Sequence, residues 1–315
     1  MRRISILWLG LLGGLLAGSG LAQKKDHHHT KIVLTNDDGW AVAQIRAEYD
    51  ALKRAGYDVI LSAPALNKSG SGSSSAPPVT LATPCQFNTC PAGSPPEGAD
   101  PDDHRLNYVN SFPVDAVRFG IQTLAPKIFH SPPDFIISGS NVGNSLGTGV
   151  RGSGTVLIIA ACEAALENLP SIAFSGRSVS QVSYTTLTTD PESPGTLSAQ
   201  TYASLILKFI DSVLSGPQKP FVPRGTSLNI NFGSTVNCTT PDSFAFVMTR
   251  LVAADNTTLP DVKTCGTARL PVESTLINQG CFVTVTVLNA TTKSDVDAAT
   301  QGLVLEQVSS LMGCA

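Results

Sequence analysis

Short apolar runs punctuate the first half of the chain: Ile32-Val33-Leu34, Val59-Ile60-Leu61, Phe135-Ile136-Ile137 and Ile172-Ala173-Phe174. Each breaks off into acidic, glycine-rich or polar sequence, which is how a strand buried on both faces reads. Between the first two, Ile45, Tyr49 and Leu52 share one face of a helix over 44–55, and Gly56 stands where a helix stops. Residues 31–62 therefore predict a strand-helix-strand unit with parallel strands and a right-handed crossover. Ser111-Phe112-Pro113-Val114-Asp115 opens another helix, expected to reach about residue 124 on Val114, Val117 and Ile121. Further helices are predicted over 156–166 and 197–214, strands over 226–231, 244–248 and 281–288, and a terminal helix over 295–312 on Val296, Leu303, Val308 and Leu311. Strands alternating with helices predict an α/β chain with a mostly parallel sheet.

The amino terminus adds a compartment to that picture. Met1-Arg2-Arg3, an apolar run over 4–16 and small residues before Gln23 predict a secretory signal peptide over 1–22. The mature chain, 315 − 22 = 293 residues over 23–315, has no dividing linker and is expected to form a single α/β domain with no membrane association after cleavage. His27, His28 and His29 read as part of a polar mature terminus. A net charge of −3 with 14% charged residues argues against a nucleic-acid surface, which needs a basic stripe. All seven cysteines lie beyond the signal segment, where an oxidising compartment lets them pair. Cys85 and Cys90 bracket a short loop and are the expected pair; Cys238, Cys265, Cys281 and Cys314 crowd the last quarter. Cys162 sits inside an apolar helical pattern and is expected to stay unpaired. The proline-bearing stretch 83–104 reads as a disulfide-stapled surface insertion. Sequons at Asn237, Asn256 and Asn289 fit glycosylated loops, and a fourth occupies Asn67-Lys68-Ser69.

The candidate chemistry gathers where the strands stop. The first runs straight into Asn36-Asp37-Asp38-Gly39. Two adjacent carboxylates repel unless a cation or hydrogen-bond donors sit between them, and oxygen donors of this kind suit Mg²⁺, Mn²⁺ or Ca²⁺. The same tetrapeptide is also good turn chemistry, so turn and metal site both stand at this point. The second strand is followed by a serine- and glycine-rich loop over 63–78, and the third by Ser138-Gly139-Ser140-Asn141-Val142-Gly143-Asn144, read as a loop. Ser153-Gly154-Thr155 opens the helix over 156–166, where free amides could cradle phosphate or a hydroxyl could simply cap the helix. Rules for parallel sheets place ligands beyond the carboxyl ends of strands, where all of these fall. The glycine spacing is not the dinucleotide fingerprint.

Taken in order, Asn36-Asp37-Asp38-Gly39, Ala63-Pro64 with Asn67-Lys68-Ser69-Gly70, Ser138-Gly139-Ser140-Asn141-Val142-Gly143 and Ser153-Gly154-Thr155 resemble the SurE family of survival-protein phosphatases and nucleotidases. The resemblance is specific over about 31–175 and continues weakly through Leu228-Asn229-Ile230-Asn231. It implies a Rossmann-like doubly wound sheet with helices on both faces and a β-rich carboxy-terminal extension. It further implies one divalent cation held by Asp37, Asp38, Ser69 and Asn141, with Asp37 and Asp38 as the catalytic pair. Asn36, Gly39, Ser138, Gly139, Gly143, Ser153, Gly154 and Thr155 would surround the phosphate. The implied substrates are small phosphate monoesters, nucleotides among them, and the implied assembly is a homodimer or tetramer. A secreted, fungal-type member is the expectation, with Val42-Ala43-Gln44 where bacterial members usually carry a Pro-Gly pair. The rival readings are a secreted binding protein that kept the fold and lost catalysis, and a receiver-type phosphoacceptor domain; the signal peptide speaks against the second.

Overall fold

The structure, a computed structural model, describes residues 30–151, 156–177 and 180–315. Nine strands form one sheet: β1 (Lys31–Thr35), β2 (Asp58–Pro64), β3 (Glu97–Ala99), β4 (Leu106–Val109), β5 (Phe135–Val142), β6 (Ser171–Gly176), β7 (Thr226–Phe232), β8 (Ala245–Thr249) and β9 (Phe282–Asn289). Their order is β3-β4-β2-β1-β5-β6-β7-β9-β8. The six strands from β4 to β7 in that order are parallel, β3 and β9 run against their neighbours β4 and β7, and β8 is parallel to β9. From β1 the chain moves to one side through β2 and β4, then returns to the other side of β1 as β5. The sheet therefore has its topological switch between the carboxyl ends of β1 and β5, the crevice where parallel sheets bind ligands.

Alternation along each strand explains the two layers of helix. Ile32, Leu34, Phe135 and Ile137 face a core shared with α1 (Ala43–Arg54) through Ile45, Tyr49 and Leu52. Val33 and Ile136 face the opposite side, where they meet Val117 of α2 (Pro113–Phe119) and Ala125 and Phe129 of α3 (Ala125–Phe129). A short α4 (Thr148–Arg151) leads toward α5 (Val156–Leu166), whose Ala160 and Ala164 complete that second layer. After α6 (Thr186–Thr189), the long α7 (Pro194–Ser215) starts on a Ser193 cap and packs Leu205, Ile206 and Phe209 into the first layer. Two further helices, α8 (Glu273–Leu276) and α9 (Ala298–Gln307), close the carboxy-terminal part. Among the described residues no helix is long and apolar enough to cross a membrane.

Several sequence expectations change in the structure. The stretch from Ser138 to Val142, read as a loop, continues β5: Thr35 pairs with Ser138 and, after a break in register, Asn141 pairs with Ser175. The helix from Pro113 does not stop at 124; it passes through one π-helical turn, Gly120–Leu124, into α3. The terminal helix is shorter than 295–312. Asp297 caps it by accepting from the Thr300 amide, and Asp295 is drawn away to the Leu251 and Val252 amides. The insertion over 83–104 contains β3, which with β4 forms an edge that the residue pattern did not predict.

Disulfides join Cys85 to Cys90, Cys238 to Cys281 and Cys265 to Cys314, while Cys162 is buried and unpaired, as its apolar setting predicts. The two long loops, with sequence separations of 43 and 49, tie the carboxy-terminal strands and tail together and restrict the unfolded chain most. The signal segment, the three histidines and Ser153, Gly154 and Thr155 lie outside the described residues.

Candidate active site

The turn after β1 is built by its outer residues and leaves the inner two for chemistry. Asn36 is buried; its Nδ2 donates to the Gly39 carbonyl at 3.0 Å and its Oδ1 accepts from the Gly39 amide at 3.2 Å. Turn chemistry is thus real, but it belongs to Asn36 and Gly39. Gly39 has φ +111°, a backbone that favours glycine, and a Cβ there would displace the end of the Gln86 side chain, 2.2 Å away. Asn36 and Gly39, expected to contact phosphate, instead shape the loop that presents Asp37 and Asp38.

Asp38 is where three strand ends converge. Its Oδ2 accepts from the Val142 amide at the end of β5, 2.7 Å away, and its Oδ1 accepts from the Ser69 hydroxyl at 3.2 Å, from the loop after β2. A third donor reaches Oδ1: the side-chain amide of Gln181, at 2.5 Å. Asp37 is held by its backbone, with its carbonyl accepting from the Lys68 amide at 2.8 Å, whereas its buried Oδ1 has no partner. Burial pushes both carboxyls well above their ordinary range, the Asp38 charge adding to the rise at Asp37 and the donors around Asp38 opposing it there. Among the described residues no ion pair reaches either one. Two buried neighbouring carboxyls, an orphaned oxygen and a hydroxyl against the pair make a hard-cation donor set. A dication with oxygen ligands fits these residues.

The other expected residues divide. Asn141 stands at the end of β5 beside the Val142 amide, and its Nδ2 donates to the Gly143 carbonyl at 2.7 Å, leaving the oxygen as the end a cation could use. Ser138 and Gly139 lie inside β5 rather than on a loop. Ser138 is fully buried, and a Cβ on Gly139 would meet the Phe174 carbonyl at 2.2 Å. The Gly143 amide donates to the Gly176 carbonyl, so it braces β5 against β6 instead of offering itself to phosphate.

Three residues near this centre carry no motif. Gln181 has just been placed on Asp38. Gln86, inside the Cys85–Cys90 loop, donates to the Asp38 carbonyl at 2.9 Å, so the insertion is part of the site. Its signal was the disulfide itself, which staples a five-residue span. Glu48 of α1 is fully buried behind β5; burial pushes it up to about 8, opposed by the Ser140 amide. Beyond Gly143, the chain is anchored by Glu273, whose Oε1 accepts from the Gly147 amide at 2.8 Å and Oε2 from Asn229 and Thr286.

Comparison with known proteins agrees with this architecture. The family model "Survival protein SurE" matches residues 32–257. An acid phosphatase of Yarrowia lipolytica is 32% identical over 90% of this chain and 89% of its own length. A 5'-nucleotidase SurE of Lawsonia intracellularis is 36% identical over 64% of this chain and 66% of its own. Among solved structures, the SurE protein from Aquifex aeolicus superposes with a TM-score of 0.53 at 23% identity, covering 82% of this chain and 93% of its own, a likeness of fold.

Proposed function

The chain belongs to the SurE survival-protein family, and from that premise we propose that it is a secreted phosphatase that hydrolyses small phosphate monoesters with the help of one divalent cation. The observation that carries the reading is the Asp37–Asp38 pair: buried, adjacent, without a counter-cation among the described residues, and touched by the Ser69 hydroxyl. Relatives named acid phosphatase and 5'-nucleotidase support the same reaction class, with nucleotides among the substrates. Three disulfides fit an oxidising compartment.

Asp37, Asp38, Ser69 and the Asn141 oxygen would hold the cation, of the Mg²⁺, Mn²⁺ or Ca²⁺ kind. Bound there, it supplies positive charge to a phosphoryl oxygen and acidifies a water. The protein's own part is preorganisation. Asn36 locks the turn, the Val142 amide fixes one oxygen of Asp38, and the Ser69 hydroxyl and Gln181 fix the other. The proton of the attacking water would pass to Asp37 or Asp38, the two carboxylates at hand. Ser153, Gly154 and Thr155, which the family resemblance assigns to phosphate, would receive the remaining phosphate oxygens.

The test is hydrolysis of a chromogenic phosphate ester and of a panel of nucleoside monophosphates by the purified secreted protein, with chelator and with each metal restored. Metal-restored turnover is the expected result. Turnover that survives exhaustive chelation would overturn the metal-dependent reading, and no turnover with any metal or ester would overturn the enzyme reading.

A further inference from the structure

The side-chain amide of Gln181 lies on Asp38 Oδ1, and nothing about its approach is left to chance. Gln181 belongs to a segment pinned along the start of α1: the Ala43 amide donates to the Val182 carbonyl and the Tyr184 amide to the Ala41 carbonyl, both at 2.9 Å. The Tyr184 ring is in turn covered by the Arg46 guanidinium, 4.3 Å from its centroid. The backbone bearing Gln181 is therefore fixed to the same helix that follows the acidic turn.

The orientation of the amide is fixed as well. Gln181 Oε1 accepts from Asn67 Nδ2 at 3.2 Å and from Gln86 Nε2 at 3.4 Å, so its donor end is the one that meets Asp38. Asn67 is itself braced, its Oδ1 accepting from the Ser69 amide at 2.8 Å. Gln86 also donates to the Asp38 carbonyl at 2.9 Å and is held in the Cys85–Cys90 loop. A ring results: Ser69 orients Asn67, Asn67 and Gln86 orient Gln181, and Gln181 with the Ser69 hydroxyl orients Asp38. Neutral amides suit this task, since they order a carboxylate without neutralising it as Lys or Arg would, so its affinity for a cation survives.

We propose that Gln181 is a positioning residue for the cation-holding carboxylate of Asp38, aimed by Asn67 and Gln86, and that the disulfide loop is by this route a working part of the site. The inference rests on the metal-dependent reading above and extends it to residues outside the acidic turn. It also bears on Asn67, whose Nδ2 is the atom a glycan would occupy: sugar there replaces one hydrogen of a nitrogen that aims Gln181.

The experiment is a calorimetric titration of the metal-free protein with Mn²⁺, on the parent, Asp38→Asn, Gln181→Met and Gln86→Ala, with the melting temperature of each metal-free form recorded alongside. Gln181→Met is expected to weaken Mn²⁺ binding by about 10–100-fold with a metal-free melting temperature within about 2 °C of the parent. Gln86→Ala, which loosens the aim without removing the donor, is expected to weaken it by about 3–10-fold. At saturating Mn²⁺ the turnover of Gln181→Met should return toward the parent's. If Gln181→Met binds Mn²⁺ as the parent does while Asp38→Asn has lost binding, the positioning role is overturned and the metal reading stands. If Asp38→Asn also binds as the parent does, the metal reading itself falls. A large drop in metal-free melting temperature that accounts for the weakened binding would make Gln181 a fold residue and overturn the proposal in another way.

Discussion

Among the described residues, two acidic clusters differ in whether the fold supplies them with a cation. In the carboxy-terminal part, Asp261 and Asp295 flank Arg250, whose Nη1 meets the two oxygens of Asp261 at 3.0 and 2.8 Å and whose Nη2 lies 3.6 Å from Asp295. The remaining acceptor sites are filled by the Leu270 amide and the Gln301 side chain on Asp261, and by the Leu251 and Val252 amides on Asp295. At the end of β1, Asp37 and Asp38 have amides and a hydroxyl but, among the described residues, no cationic side chain and no partner for one oxygen of Asp37. A buried charge is tolerated when the fold supplies its opposite. Where it does not, burial holds the carboxyl protonated, as at Glu48 and Glu273, or a bound cation completes it, as proposed here for Asp37 and Asp38. The two clusters thus differ in completeness rather than in composition.

The largest effect should come from the unfinished cluster. Asp38→Asn keeps the shape, removes one anion and relieves repulsion with Asp37, so the protein should stay folded and lose about a thousandfold or more of its phosphatase activity. Circular dichroism and an activity assay on one sample check both halves. Parent-like turnover with Asn at both 37 and 38 would end the site assignment. The finished cluster should answer in the opposite way. Arg250→Met strands two buried carboxylates and should cost about 3–5 kcal/mol of stability, seen in denaturant melts. The variant's turnover per folded molecule should remain that of the parent, because Arg250 lies outside the set of residues around Asp38.

Why the sequence disclosed one cluster and hid the other follows from their chain geometry. Asp37 and Asp38 are contiguous and end an apolar run, so a strand, a turn and a carboxylate pair can be read together. Ser69 came from the family resemblance; its loop alone showed only serines leaving the neighbouring parallel strand. Asp261, Asp295 and Arg250 are separated by tens of residues in irregular segments, and no period links them. Gln181 fails to announce itself for a related reason: a lone amide in a polar stretch has no pattern, and its role exists only through Asn67 and Gln86. Ser138 to Val142 misled because glycine and serine suggest a loop, while the pairings of Thr35 with Ser138 and of Asn141 with Ser175 hold that stretch in the sheet. The α/β alternation was legible since each strand is buried on both faces; the β3–β4 edge was not, being too short to show a pattern.

Asn141 offers a smaller and sharper contrast, between a ligand and a shaping residue at one position. As a neutral oxygen donor it contributes less than a carboxylate, so Asn141→Ala should lower activity about 10–100-fold with partial recovery at raised Mn²⁺. Its hydrogen bond to the Gly143 carbonyl gives the other account, in which Asn141 only shapes the strand end. Asn141→Gly distinguishes them. Normal activity and unchanged metal dependence in the Gly variant would remove Asn141 from the ligand set.

The smallest effect concerns a carboxylate that belongs to neither cluster. Glu48 is buried behind β5 without a cationic partner among the described residues, and burial raises it from its ordinary 4.5 to about 8. Its proton is therefore held in the folded chain up to about pH 8 and released near pH 4.5 when the chain unfolds. The unfolded state binds fewer protons between these values, so stability must fall as pH rises through that window, and is full below it. Glu273 is also raised to about 8, mainly by burial, and adds to the same slope. The metal-free protein should accordingly be more stable near pH 5 than near pH 7.5, opposite to a fold held together by ionised carboxylates. Asp37 and Asp38, raised in the metal-free protein, act in the same direction, and Glu48→Met removes one of these contributions with little change in shape. It should raise stability at pH 7.5 by about 1–2 kcal/mol and flatten the pH dependence between 5 and 7.5, while leaving stability at pH 4.5 close to the parent's. Melting curves of both proteins at those pH values, in chelator, decide it: an equal slope in parent and variant would mean that Glu48 is already ionised and paired in the folded chain.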